Sequence, residues 1–280
     1  MRITHFILSL ALTAGAAQAQ SYVIKANGVV LNIDNQGVLH DRGQFILPFQ
    51  IRYSGGQFYV NKDRQLVTTD DGGYFYRQDV HSLEAPKEVA YSGFNYFIEE
   101  NGTPWTIDRQ GVPYKSEKNK ALKKPLMKGG NFIIVAGERR KPARLFVVTD
   151  RGNLLESVVD GLDLSTVKHV GGNWMVTVDG ALYTVSRDGF VFSKRDLIRR
   201  ILVPEARGGN FVVSGGKLIV VADDGVVSEH GDLGSYGAIV KTGHNYFVTQ
   251  DGKLIVINGL GEVHDRTGNH DFKNIAHSSF

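Results

Sequence analysis

One phrase, repeated along the chain, restricts the possible folds more than any other feature. Gly243 to Ile257 reads GHNYFVTQDGKLIVI: an apolar run (Tyr246 to Val248), the turn Asp251-Gly252, and a second apolar run (Leu254 to Ile257). Asp-Gly between two β-prone runs is a strong hairpin signal. The phrase returns as GGNWMVTVDGALYTV from Gly171 to Val185 and as GGNFVVSGGKLIVV from Gly208 to Val221. Its opening recurs as GGNFIIV at Gly129, SGFNYFI at Ser92 and SGGQFYV at Ser54. Counted on the polar residue of each turn, from Gln57 through Asn95, Asn131, Asn173 and Asn210 to Asn245, the steps are 38, 36, 42, 37 and 35 residues. One further unit, Ser21 to Asp41, aligns without a gap with Asn245 to Asp265, which makes seven. A period of roughly 35–45 residues with several short strands each lies in the propeller range.

Composition agrees with a turn-rich all-β chain: 33 of the 280 residues are Gly and 7 are Pro. Repeats with no linker between them predict one closed domain over residues 20–280. Residues 1–19 read as an export signal: Arg2 supplies the positive start, Phe6 to Ala16 the short apolar stretch, and Ala17-Gln18-Ala19 a small-x-small cleavage site. No later segment has the ~18 consecutive apolar residues of a membrane span. The chain has no Cys, which excludes disulfides, thiol catalysis and Cys-ligated zinc.

The phase of the strands follows from distance. Four strands at ~4.8 Å spacing separate the first from the last by about 14 Å, so the return link needs at least four or five residues. Gly-Gly-Asn is too short for that link; the variable stretches Ser116 to Lys124 and Lys194 to Leu202 are long enough. Strand A therefore precedes Gly-Gly-Asn, strand B follows it, C follows the next turn, and D closes the blade, with A expected innermost. The chain then starts with B, C and D of one blade and no A, while its tail, Lys273 to Phe280, resembles the strand A at Gly237 to Thr242. The tail is expected to complete the first blade and close the ring.

This organisation resembles a seven-bladed β-propeller of the WD40-like kind over the whole mature chain. The Trp-Asp dipeptide of WD40 repeats is absent and Gly-His occurs once, at Gly243-His244, in a different turn. The resemblance therefore implies the fold without membership of that family, and the export signal points to a bacterial exported propeller. The C–D turns, such as Asp34 to Gly37, Asp70 to Gly72 and Asp108 to Gly111, carry ordinary turn chemistry, Asp first and Gly at the positive φ. No D-x-D-x-D-G run marks a calcium loop. Asn131, Asn173, Asn210 and Asn245 are expected to bond their own turn backbone. Trp105 and Trp174 read as core, and the paired His40-Asp41-Arg42 and His264-Asp265-Arg266 as exposed residues of two D strands.

Catalytic signatures such as G-x-S-x-G, H-E-x-x-H and G-x-x-x-x-G-K are missing, so no catalytic residue, metal ligand or cofactor is assigned. Two constellations remain. The strand-A ends, Tyr53, Tyr91, Lys128, His169, Arg207, Lys241 and His277, follow aliphatic residues two positions earlier in six blades of seven, and predict a polar ring suited to an anionic ligand at one mouth of the channel. The second is basic. Lys115, Lys118, Lys120, Lys123 and Lys124 enter blade 4; Arg139, Arg140, Lys141 and Arg144 belong to its long B–C loop; Lys194, Arg195, Arg199 and Arg200 enter blade 6. These thirteen cations face three acids (Glu117, Glu138, Asp196), a local +10 in a chain of net +3. They predict one basic surface for an acidic protein, an acidic envelope polymer or anionic lipid headgroups. Nucleic acid fits poorly, since the cations lack interleaved aromatics for stacking.

The leading reading is a non-enzymatic binding or scaffold propeller in the periplasm, or secreted. The alternative is a lactonase- or lyase-like enzyme at the channel mouth, where Glu205, two residues before Arg207, is the one acid on a strand A beside the ring. A lectin would need an exposed aromatic repeated in register in the links, and none recurs.

Overall fold

A computed structural model describes residues 21–77, 86–137, 141–194, 201–232, 236–268 and 272–278. These form seven antiparallel sheets of four strands, each in the order A-B-C-D. Blade 4 is representative: Pro125–Lys128, Phe132–Val135, Arg144–Val148 and Leu154–Ser157. Prolines open strands at Pro104, Pro113 and Pro125, where a missing N–H is tolerated. Blade 1 takes its strand A from the other end of the chain: Ile275–Ser278 pairs with Ser21–Lys25, His277 opposite Ile24. The ring closes as expected. Residues 1–19, expected to be an export signal, lie outside the described residues.

Burial separates the strands into layers. Strands B and C are almost wholly buried, as at Tyr96–Glu99 and Pro104–Ile107, whereas A and D alternate or lie open, as at Pro125–Lys128 and Val191–Ser193. B and C are near-continuous apolar runs because each face meets a neighbouring blade. The core is accordingly a set of seams between blades. Phe132, Ile134, Leu145 and Val147 of blade 4 pack on Met175, Tyr183 and Val185 of blade 5; Tyr96 and Ile98 of blade 3 pack on Ile133, Val135 and Phe146. Each such side chain contributes about 1.5–3 kcal/mol by burial. Both tryptophans are fully buried, and Trp105 Nε1 donates to Glu99 Oε1 at 3.0 Å. Strand A carries a bulge in blades 1, 2, 3, 4, 5 and 7, which bends its open edge.

The relation of the blades to the axis differs from the expectation. The A–B turns of successive blades bond to one another: Gln57 N to Phe94 O, Asn131 N to Gly172 O, Asn173 N to Gly209 O and Asn210 N to His244 O, at 2.9–3.1 Å. The C–D turns form a second ring, from Asp71 N through Arg109, Asp150, Arg187, Asp223 and Gly259 to Asn35 O, six links of 2.8–3.1 Å. Backbones joined this way lie about 5 Å apart, so a ring of seven closes at a radius of roughly 6 Å. Were strand A to line the axis along its length, the C–D turns would stand roughly 10 Å further out and could not meet. The strands therefore run outward from the axis. A is the layer on one face and D the layer on the other, and the B–C loops and D–A links leave at the rim.

Candidate functional site

The chain reaches the axis through the words that repeat. In each A–B turn the first Gly lies under the aromatic three residues later. A Cβ on Gly55, Gly93, Gly129, Gly171, Gly208 or Gly243 would stand 2.1–2.3 Å from the ring of Phe58, Tyr96, Phe132, Trp174, Phe211 or Tyr246. The middle residue faces the axis: Gly56, Phe94, Gly130, Gly172, Gly209 and His244. Two of these six are large. Phe94 of blade 3 and His244 of blade 7 stack across the centre, ring centroids 4.0 Å apart and planes at 25°. The Gly at the other positions makes room for them, since a Cβ on Gly56 would strike Phe94 and one on Gly209 would strike His244. Burial, with Arg187 adding to it, pushes His244 down to about 3, so the imidazole is neutral.

In blades 3, 4 and 5 the third residue, the Asn, stitches one blade to the next, contrary to the expected bond within its own turn, and in blade 6 the Asn210 side-chain amide is buried with no hydrogen-bond partner. Nδ2 of Asn95 donates to Thr149 O, that of Asn131 to Ser186 O and that of Asn173 to Val221 O and Ala222 O, at 3.2–3.4 Å. The neighbouring turn lies nearer than the residue's own because the blades converge here. The Asp of the C–D turns behaves as expected: Asp108 Oδ1 accepts from Gln110 N and Val112 N. In blade 2 the positive φ falls on Gly73 rather than Gly72.

Beneath the stack lies a space of about 30 Å³, bounded by Asn95, Asn131, Asn173, Asp150, Arg187 and Asp223. The C–D ring alternates in charge around it, Asp71, Arg109, Asp150, Arg187, Asp223, and Arg187 Nε stands 3.1 Å from Asp223 Oδ2. Burial lifts Asp71 to about 7, opposed by Arg187 and Arg109, and lifts Asp223 to about 6, opposed by Arg187.

The predicted ring of strand-A ends divides in two. Tyr53, Tyr91, His169, Lys241 and His277 share a register, each paired one step inside the bulge, as Tyr53 opposite Val60 and His169 opposite Val176. Lys128 and Arg207 lie one residue later, directly before their Gly, and so point to the other face. In the first set, Tyr53 OH donates to Glu88 Oε2 at 2.7 Å, Tyr91 OH to Leu122 O, and Lys241 Nζ to Ile275 O at 2.6 Å. Each bond reaches the next blade or its link. His169 Nε2 is buried without a partner, and burial, Lys168 and Arg207 lower its pKa. The side chain of His277 lies outside the described residues. Lys128 and Arg207 are exposed, and Lys128 borders the stack with Ser92 and Gly130. Glu205 sits at the outer end of its blade, not beside the axis: both its carboxylate oxygens accept from Gly216 N of the B–C turn.

At the rim, Lys115 ends strand D of blade 3 with its ammonium over the Trp105 ring, and Lys118, Lys120, Lys123 and Lys124 are exposed on the link that follows, held by one short 3-10 turn, Lys120–Lys123. Leu122 is fully buried between blades 3 and 4, and Asn119 caps the turn by accepting from Ala121 N. Lys141 is exposed, Arg144 pairs with Glu156 at 3.5 Å, and Lys194 lies over Phe192. Arg139, Arg140, Arg195, Arg199 and Arg200 lie outside the described residues. The acidic link of blade 5, with Asp160 and Asp163 exposed, stands between the blade-4 and blade-6 segments, so the described cations form separate groups around the rim. His40 bonds Asp34 and His264 lies near Glu262, both half-buried in strand D; Arg42 and Arg266 reach C–D turns of neighbouring blades, at Gly72 O and Gly37 O. Sequence reasoning missed Phe94, His244 and the charged C–D ring. The available signal was the middle turn residue, the one position where Gly gives way to an aromatic.

No family model matches the chain, and no curated protein matches it in sequence. Among solved structures it is similar to virginiamycin B lyase from Staphylococcus aureus (11% identity, 90% of this chain and 96% of that one, TM-score 0.36). It is also similar to PorZ, a surface component of the type-IX secretion system of Porphyromonas gingivalis (13%, 89% and 38%, 0.38), and to YCF48 bound to D1 peptide (13%, 89% and 93%, 0.32).

Proposed function

We propose that this chain is an exported, non-enzymatic binding propeller of the periplasm, or secreted, that presents a cationic rim to an acidic partner. The observation that carries this reading is the anchored lysine turn. Lys120, Lys123 and Lys124 flank a side chain buried to 0% exposure, so their positions relative to the body are set by Leu122 and the Asn119 cap. Cations held in this way hold a pattern toward a polyanion that flexible loops do not. The filled axis supports the same reading. Among the described residues the space beneath the stack, about 30 Å³, has room for roughly one water rather than an organic substrate, and Glu205 is committed to the B–C turn. Residues 1–19 supply the export reading. The partner is an acidic envelope polymer, an anionic ligand or an acidic protein; the test uses heparin as the polyanion. The variant with Lys118, Lys120, Lys123 and Lys124 all changed to Ser should elute from a heparin column at clearly lower salt than the wild type, with its melting temperature unchanged. Elution of both at the same salt would remove the lysine turn from any binding role.

A further inference from the structure

The axial space is surrounded by side-chain oxygens that have nothing to accept. Asn95, Asn131 and Asn173 are 5, 7 and 6% exposed, and in each the Nδ2 is turned to the carbonyl of the next blade. That bond decides which way the amide faces and leaves Oδ1 on the side of the cavity. None of the three Oδ1 atoms has a hydrogen-bond partner, and neither has Asp150 Oδ1. Against these four acceptors the cavity lining offers one partnerless buried donor, Arg187 Nη2, on a guanidinium already paired with Asp223. An unsatisfied buried acceptor costs about 1–3 kcal/mol, so a native structure fills such a site with a guest. Its guest must be small, electron-poor and served by several oxygens.

We propose that the axis binds a single calcium-class cation, held by the amide oxygens of Asn95, Asn131 and Asn173 and the carboxylate of Asp150, with Asp223 supplying further negative charge. The lining holds two carboxylates, Asp150 and Asp223, against two guanidiniums, Arg109 and Arg187, and Asp71 adds a third carboxylate to the same ring of turns. Size selects among cations. Calcium takes six to eight oxygens directly, amide carbonyls included, while magnesium keeps several waters. A space of about 30 Å³ holds an ion or one water, not an ion with a water shell. Among the described residues no three His, Asp or Glu side chains group as metal ligands, so the site depends on amide oxygens from three blades and would form only in the closed ring.

The test is calcium titration of the full chain after chelator treatment, followed by calorimetry and by melting temperature, with magnesium at equal concentration as control. The proposal expects one calcium per chain, a rise in melting temperature with calcium and none with magnesium. Asp150→Asn should weaken binding by about tenfold or more, because affinity follows ligand charge. Asn131→Asp, which adds a carboxylate at the same size, should strengthen it, and keeps the test decisive if the first variant folds poorly. Absence of binding by the wild type would overturn the proposal and leave water as the guest. Calcium binding of equal strength in the wild type and both variants would overturn it too, by placing the ion on exterior carboxylates.

Discussion

The axis and the rim of this ring are made from the same seven repeats and obey different rules. At the axis, turns of two or three residues meet backbone to backbone, Gly lies against Gly, and every described Gly of these turns has neighbours within contact distance. At the rim, D–A links and B–C loops of variable length together carry ten of the sixteen lysines, and glycines such as Gly161 and Gly231 have nothing within 4 Å of where a Cβ would be. The difference shows where a repeat chain holds its stability and where it can vary. The axis is shared by all blades, so an error there is felt by its neighbours; a rim link belongs to two blades at most.

The largest test of that contrast is removal of the closing strand. Deleting residues 272–280 takes away Phe272 and Ile275, 1 and 9% exposed, and strips the edge of Ser21–Lys25. A loss of about 3–6 kcal/mol is expected from the two side chains alone, read as a large fall in melting temperature. A truncated chain that melts with the full one would show that blade 1 does not need its second end. Next comes a matched pair of glycine substitutions. A Cβ on Gly130 would stand 2.7 Å from Gly172 Cα, which is backbone and cannot swing aside. Gly130→Ala should cost about 2–3 kcal/mol in urea unfolding, against about 0.5 kcal/mol or less for Gly231→Ala. Equal costs would erase the distinction between centre and periphery.

A pH experiment sharpens the comparison further. His244 is held neutral in the folded state, about 3 against an ordinary 6.5. Its contribution is complete above pH 6.5 and is lost as pH falls toward 3. Asp71 and Asp223 have the opposite sign: raised to about 7 and about 6, they contribute below the ordinary carboxylate range and lose that contribution as pH rises through 6 to 7. His244→Phe keeps a ring on Phe94 and removes only the first slope. Its stability relative to the wild type should climb by on the order of a few kcal/mol between pH 7 and pH 4. A flat difference across that range would mean that His244 is not buried on the axis. The smallest effect is expected at the rim, where the fourfold lysine variant should unfold within about 0.5 kcal/mol of the wild type.

Strands, turns, blade number and closure were legible because each rests on local chemistry: Asp-Gly hairpins, Asp-first turns, and a missing strand A matched by an orphan tail. What was not legible depends on how blades meet. The direction of the strands relative to the axis follows from turn-to-turn bonds between repeats, which no single repeat encodes. The strand-A ends were misaligned at Lys128 and Arg207 for a smaller reason. Blades 4 and 6 bring their cation directly against the Gly, while Tyr53, Tyr91, His169 and Lys241 stand one residue further back. Counting from the Gly would have revealed it. The lysine clusters were visible as charge, but their spacing around the rim, with Asp160 and Asp163 between them, belongs to the ring as a whole.

The Phe94–His244 stack has a bearing on how such a chain could have evolved or be rebuilt. A ring grown by duplication of one unit has the same residue at every middle turn position. Small residues throughout would leave a hole down the centre, and large ones throughout would not fit within a radius of roughly 6 Å. With two large rings and glycine at the other described positions, the centre is filled only when the blades are unlike. Blades 3 and 7 therefore cannot be replaced by copies of blade 4 without emptying the middle, and a consensus built by averaging the repeats would discard the two side chains that fill it.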